Sequence, residues 1–173
     1  MASILDPLVD KQGGVKKSAN WYRTNVQSIS DKFTARKLMN QGKLIGRPSV
    51  GRLNMFFYDP KFKKTLPYYD AFPLVLPLEP FKGGFMGMNF HYIRPVQRIS
   101  LLNNLQRYAS GGMKSTTRID ATYDGIKNVS IARNTIKKYL YSHVRSSFLR
   151  VDFDEAALAV MLPVQQFRKG SPY

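Results

Sequence analysis

Apolar and polar positions along the chain divide it into a β-patterned centre between two segments of helical period. Trp21, Val26, Ile29, Phe33 and Leu38 recur at near-helical spacing, which predicts a helix from about residue 20 to Met39 with Ser18 or Asn20 as its cap. Gly42, Gly46 and Pro48 end it. Residues 51–59 (GRLNMFFYD) are rich in β-formers and close on Asp59-Pro60, a turn opener. Tyr68 to Leu78 is apolar but broken by Pro73 and Pro77. A proline removes a ladder donor, so this segment belongs at a sheet edge or in a bent strand. Gly83-Gly84 then turns the chain into a further strand, Phe85 to Ile93.

Pro95 suits the first turn of a helix, where its missing N–H is no loss. Val96, Ile99, Leu102 and Leu105 form that helix's stripe to about Ser110, and Gly111-Gly112 stops it. Residues 113–127 carry neither period. Asn128 or Ser130 caps a second helix to about Ser146, and Phe148 to Asp152 is a strand. Asp154-Glu155 turns into Ala157 to Leu162, either a returning strand or a short buried helix. The expected fold is α+β: a small antiparallel sheet or partial β-barrel with kinked strands, flanked by two or three helices and extended termini. Residues 1–19 form an extended arm, 20–165 one domain, and 166–173 a C-terminal tail.

Composition changes the picture mainly through charge. Against 27 Lys and Arg stand 11 Asp and Glu, a formal net charge of +16. Hydrophobic residues at 43% and aromatics at 13% exclude a disordered polycation. The excess is uneven: residues 1–52 carry +7, 53–92 carry +1 and 93–173 carry +8. Such a surplus repels itself and attracts polyanions, with nucleic acid the foremost. The chain has no cysteine, which excludes disulfides and zinc knuckles. No apolar run is long enough to span a bilayer, and the first residues lack the basic-then-apolar order of a signal peptide. The expectation is a soluble protein made in the cytoplasm, without a membrane partner.

Chemistry is sparse. His91 and His143 are the two histidines, far apart in sequence and each on an apolar segment, where a packed, hydrogen-bonded ring is the ordinary outcome. There is no nucleophile elbow, no HExxH and no phosphate-cradling glycine loop. A magnesium-dependent nuclease needs clustered carboxylates. Asp70, Glu79 and Lys82 lie in order on the β centre, but Glu79 and Lys82 are three apart around Pro80 and alternation puts them on opposite faces. Asp152, Asp154 and Glu155 more simply describe a turn. The expectation is therefore no catalysis, no metal, no cofactor and no small-molecule substrate.

Binding has a better pattern. On a helix, Arg133, Lys137, Tyr141 and Arg145 at i, i+4 spacing form one stripe flanked by Lys138, uninterrupted by acid. Basic groups neutralise phosphates and the aromatic offers a stacking plane. Arg36, Lys37, Lys43, Arg47 and Arg52 make a second basic group. With no base-reading motif, both imply contacts to a sugar–phosphate backbone rather than sequence readout.

The segment 54–95 carries Tyr58-Asp59-Pro60-Lys61, then Leu66-Pro67-Tyr68-Tyr69-Asp70-Ala71-Phe72-Pro73-Leu74-Val75, then Gly84-Phe85-x-Gly87-x-Asn89-Phe90-His91-Tyr92. This aromatic, proline and glycine pattern resembles small virion proteins of T-even-like, contractile-tailed phages. The similarity continues in residues 138–146 and in Leu162-Pro163-Val164-x-x-Phe167. The resemblance implies a DNA end protector or a minor structural protein of the virion. Its implied partners are packaged double-stranded DNA and other phage virion proteins of the portal, neck, tail or baseplate. It carries over no catalytic residue. Two readings follow: a virion protein touching nucleic acid at the neck or DNA terminus, or a tail, baseplate or connector subunit whose basic flanks dock acidic faces of neighbours.

Overall fold

The computed structural model describes residues 17–27, 34–110 and 118–173. The predicted arm falls mostly outside these residues, as do Ile29 and Phe33 of the first stripe and the Gly111-Gly112 stop.

The fold is α+β, as the pattern predicted. Six strands form one antiparallel sheet in the order β1 (Lys43–Ile45), β9 (Phe148–Arg150), β2 (Asn54–Met55), β4 (Leu74–Phe81), β5 (Gly84–Asn89), β8 (Ile136–Leu140). The sheet is open, with β1 and β8 as its edges. Two small ladders accompany it, β3 (Tyr69–Asp70) with β10 (Phe167–Arg168) and β6 (Ala109–Ser110) with β7 (Arg118–Ile119). Among the described residues there are six helices: α1 (Ala19–Gln27), α2 (Ala35–Gln41), α3 (Pro95–Gln106), the single turns α4 (Tyr123–Ile126) and α5 (Ser130–Arg133), and α6 (Ala156–Met161).

The β4–β5 hairpin forms where its turn chemistry says it should. Phe81 pairs with Gly84 across Lys82-Gly83, and Gly83 takes φ +89°, a region that glycine enters without steric penalty. Pro77 sits at a register shift that ends at Glu79, so the proline coincides with a bulge in the middle of β4.

Alternation along the strands makes two cores. Met55, Leu74, Leu76, Met88 and Leu149 face the larger one, with Ile99, Leu102 and Leu105 of α3 and Leu158 and Val160 of α6. Leu74, Leu76, Leu102 and Leu158 are fully enclosed, and each such side chain contributes about 1.5–3 kcal/mol by leaving water. Phe56, Tyr58, Val75, Phe85, Tyr139 and Phe148 cluster on the opposite face. Their rings pack edge-on or tilted around Phe56, with centroids 4.8 Å away at Phe148 and 5.4 Å at Tyr139.

Several elements differ from expectation. The helix predicted from about residue 20 to Met39 is two, α1 and α2, the second capped by Thr34. The strand predicted from Phe85 to Ile93 ends at Asn89, with Phe90–Tyr92 a 3-10 turn. The helix starting at Pro95 ends at Gln106 rather than near Ser110, and its Val96 is exposed while Leu101 takes the inner place. The helix predicted over 130–146 is overturned more thoroughly. It stops at Arg133 after one turn, and Ile136–Leu140 becomes edge strand β8, followed by a 3-10 turn at Tyr141–His143. The reason is tertiary. Strand β5 offers an unpaired edge, and Gly84 lets the β8 backbone come so close that a Cβ there would meet the Tyr139 carbonyl at 2.0 Å. Ladder pairing to that edge outweighs the helical period, because the same segment is rich in β-branched and aromatic residues. The segment from Ala157, open between strand and helix in the sequence, is helical to Met161 in α6, with Leu162 as its C-cap.

Candidate nucleic-acid interface

The i, i+4 stripe does not exist as a helical face. In β8, Lys137 shares a side of the sheet with Tyr139, and Lys138 projects to the other. Arg133 precedes the strand, and Tyr141 and Arg145 follow it in the segment that turns back beside Tyr58, where the Arg145 N–H donates to the Phe57 carbonyl. Arg133, Lys138 and Arg145 are exposed. Lys138 and Arg133 border a cavity of ≈ 260 Å³ that also meets Lys127.

The second basic group is divided. Arg36 and Lys37 are exposed on α2, opposite the buried Leu38 and Met39. Lys43 is ion-paired with the nearly buried Asp152, which also accepts from Arg150 Nε at 3.1 Å. The hydrogen bond from Lys43 Nζ to Asp152 holds the Lys43 pKa above its ordinary value, so its charge is already answered within the protein. Arg47 goes elsewhere: its guanidinium carbon lies 5.4 Å from the centre of the Tyr141 ring. This contact joins members of two basic groups that are 94 positions apart in sequence, because the segment after β8 turns back to bridge Tyr58 and leads into β9, the neighbour of β1. Arg52 is half-buried beside Gly51. Arg145 donates to the Ser142 carbonyl at 2.8 Å and stands 3.8 Å from Asp59, itself held by Lys63.

A third group was missed by the sequence reading: Lys61-Phe62-Lys63-Lys64, which forms the tip of the loop after Pro60. Lys169 donates to the carbonyls of Lys63 and Lys64 at 3.2 and 3.0 Å, adding a fourth cation. Between this loop and β8 lies a cleft of ≈ 500 Å³ lined by Lys61, Phe62, Tyr68, Tyr92, Lys137 and Lys138, among others. Lys137 Nζ sits 4.3 Å from the centre of the Tyr92 ring, and burial lowers its pKa. A dense Lys-aromatic-Lys-Lys run was the available signal; averaging it with three carboxylates hid it.

The carboxylates considered for metal binding are structural. Asp70 is buried and accepts four hydrogen bonds. Oδ1 takes the N–H groups of Phe72 and Gln166, each at 3.0 Å, and Oδ2 takes Asn89 Nδ2 at 3.2 Å and His91 Nδ1 at 2.6 Å. Burial pushes its pKa up, but His91 and these donors outweigh that and hold the carboxyl below its usual range. His91 is fully buried; desolvation keeps the ring neutral, with Nδ1–H donating to the carboxylate. Glu79 accepts from the Tyr123 N–H at 3.1 Å. Asp152 and Glu155 close a capping box at the turn into α6. His143 Nδ1 bonds the Asp59 carbonyl at 2.8 Å, so both histidines are packed and partnered. Among the described residues no group of three or more His, Asp or Glu side chains is placed to hold a metal ion.

Residues 8–173 match the family model of the phage T4 terminal DNA protecting protein. The chain belongs to that family. No curated protein matches the chain, and no solved structure does. The motifs that resembled phage virion proteins map, within this terminal DNA protecting family member, onto the polar hub and its surroundings. Asp70, Asn89 and His91 are its hydrogen-bonding members, and Phe72 and Phe90 are fully buried beside them. The motif is therefore architectural, while the basic edge lies around it.

Because the native pKa of His91 lies below its unfolded value, the unfolded chain binds the extra proton. Stability contributed by this site is complete above about pH 6.5 and is lost as pH falls below that. Asp70 shifts in the same direction and adds a second loss below the ordinary carboxylate range. A single proton limits the slope to about 1.4 kcal/mol per pH unit. Calorimetric melting from pH 8 to pH 5 should show this decline in the parent protein. It should be flattened in His91→Asn, whose amide replaces Nδ1–H without titrating. Equal slopes in both proteins would contradict the assignment.

Proposed function

We propose that this protein binds the terminus of phage double-stranded DNA through the sugar–phosphate backbone, as a structural component rather than an enzyme. The supporting observation is the run of exposed cations at the β8 edge, reached by Arg47 through Tyr141, in a member of a family named for protecting terminal DNA. Lysine and arginine without a base-reading element neutralise phosphates irrespective of sequence. In this reading Arg133, Lys137, Lys138, Tyr141, Arg145 and Arg47 meet DNA directly, with Arg36, Lys37 and Arg52 adding to the field. Lys43 drops out because Asp152 neutralises it. A protein of this kind acts in the virion, where the DNA end meets the portal and neck, after synthesis in the host cytoplasm.

The test uses linear duplex and covalently closed circles of the same sequence, with protection from an exonuclease as a second measure. The parent should prefer linear DNA, with affinity falling steeply as salt rises. Arg133→Glu/Lys138→Glu/Arg145→Glu changes three exposed side chains. It should weaken binding by 100-fold or more and flatten the salt slope by roughly three phosphates, at about 0.9 each. Equal binding to circles, or full binding by the triple variant, would contradict the proposal. Loss of particle assembly without any DNA affinity in the parent would instead assign the charge to acidic faces of neighbouring subunits.

A further inference from the structure

We propose that the ≈ 500 Å³ cleft between β8 and the Lys61–Lys64 loop receives an unpaired nucleotide at the DNA end, its base against Phe62, Tyr68 and Tyr92 and its phosphate on Lys61 and Lys137. This rests on the end-binding reading above and adds what that reading does not contain: a pocket for a base.

Size comes first. Clefts that enclose a small ligand hold about 300–1,000 Å³, and this one lies within that range, whereas stacked base pairs do not fit so confined a space. Its lining is aromatic: Tyr68 and Tyr92 rings stand 5.9 Å apart at 40°, and Phe167 backs both, at 6.3 and 5.3 Å. Phe62 at the lip is 64% exposed, and Lys61 Nζ lies 5.4 Å from its ring centre. An exposed aromatic flanked by lysines is the combination on which single-stranded nucleic acid stacks.

Charge selects the occupant. Three lysines line the cleft, and the single acid among its lining residues is Asp70. That carboxylate is 3% exposed and its two oxygens are consumed by four donors, so it offers no repulsion to a phosphate. An apolar pocket with cations at its rim and no available anion matches a nucleotide, which is flat and apolar at one end and anionic at the other. Lys137 holds its ammonium 4.3 Å from the centre of the Tyr92 ring, which positions charge at the inner wall where a 5′- or 3′-phosphate of a seated base comes to lie.

The experiment measures binding by fluorescence anisotropy to three DNA hairpins: blunt-ended, with a three-nucleotide overhang, and with the same overhang made abasic. A 2-aminopurine in the overhang reports stacking by quenching. The parent should bind the overhang about tenfold more tightly than the blunt or abasic hairpins, with the fluorophore quenched. Phe62→Ala, on an exposed loop, should remove most of that preference and leave blunt-end binding within twofold. Lys137→Met removes a backbone-contacting cation as well, so it should lose the preference together with part of the blunt-end affinity. Equal affinity for all three hairpins, with blunt binding intact, overturns the pocket and leaves the end-binding reading standing. Failure to bind any hairpin overturns both. A preference that survives both substitutions places the base elsewhere and overturns this assignment.

Discussion

Asp70→Ala should cost about 4 kcal/mol and bring the protein close to unfolding at ordinary temperature. The figure follows from what the carboxylate holds. Four donors from three separate chain regions converge on it: Phe72 N–H beside β3, Asn89 and His91 after β5, and Gln166 N–H before β10. Alanine leaves three of them buried without an acceptor and the partly buried Gln166 N–H without its partner. An orphaned buried polar group costs about 1–3 kcal/mol, and breaking a buried ionised hub costs about 3–5. Domains of this size have a total stability of about 5–15 kcal/mol. Asp70→Asn keeps one acceptor oxygen but turns an NH₂ towards donors, so it should fall between alanine and the parent. Urea unfolding followed by circular dichroism measures both. A midpoint for Asp70→Ala within error of the parent's would show that the hub is not a main support. For the same reason, loss of any activity on changing Asp70 says nothing about metal chemistry unless the variant is first shown to be folded.

That hub illustrates which parts of the molecule were legible in the sequence. The β4–β5 hairpin was, because its turn depends on Gly83 and Gly84 alone, and the bend in β4 was, because Pro77 forbids a ladder bond wherever it sits. Helix α3 was, through Pro95 and a stripe that needs no distant partner. The 130–146 segment was not. Its periodicity fits a helix, and what decides for a strand is room beside Gly84 on β5, about 50 positions earlier. Periodicity reports the faces of an element but not the edge that waits for it. The basic surface was legible in its total and not in its geometry. Arg47 and Tyr141 meet because the segment after β8 turns back towards β9, which lies beside β1, and Lys43 is withdrawn by Asp152 from 109 positions away. The Lys61–Lys64 tip was concealed by arithmetic: Asp59, Asp70 and Glu79 cancel its charge in the sum, yet Asp70 is inside and Glu79 is bound to a backbone N–H.

Arg98 supports the second large prediction. Among the described residues it is the largest fully buried side chain, and none of their carboxylates bonds it. Nε donates to the Ile93 carbonyl at 2.8 Å, Nη1 to the Val160 carbonyl at 3.1 Å, and Nη2 to the His91 carbonyl at 3.4 Å and the Tyr173 hydroxyl at 2.6 Å. Burial lowers its pKa, partly offset by Tyr173, yet an arginine stays protonated in proteins. The negative ends of two short helices answer the charge, since the last carbonyls of α6 and of the turn at Phe90–Tyr92 have no partner inside their own helices. One planar fork therefore ties α3, α6, the end of β5 and the C-terminal tyrosine together. Arg98→Met, close in length and uncharged, should cost about 3 kcal/mol, because three buried carbonyls lose their donor. Arg98→Lys should recover little of it, since a single ammonium does not span acceptors set around a fork. Tyr173→Phe removes one of the four bonds and should cost about 1 kcal/mol. In the double variant Arg98→Met/Tyr173→Phe the two costs should not add, because the hydroxyl's partner is already gone. Strict additivity in chemical denaturation would mean that Tyr173 is held by something other than Arg98, and the C-terminal residue would lose its place in this network.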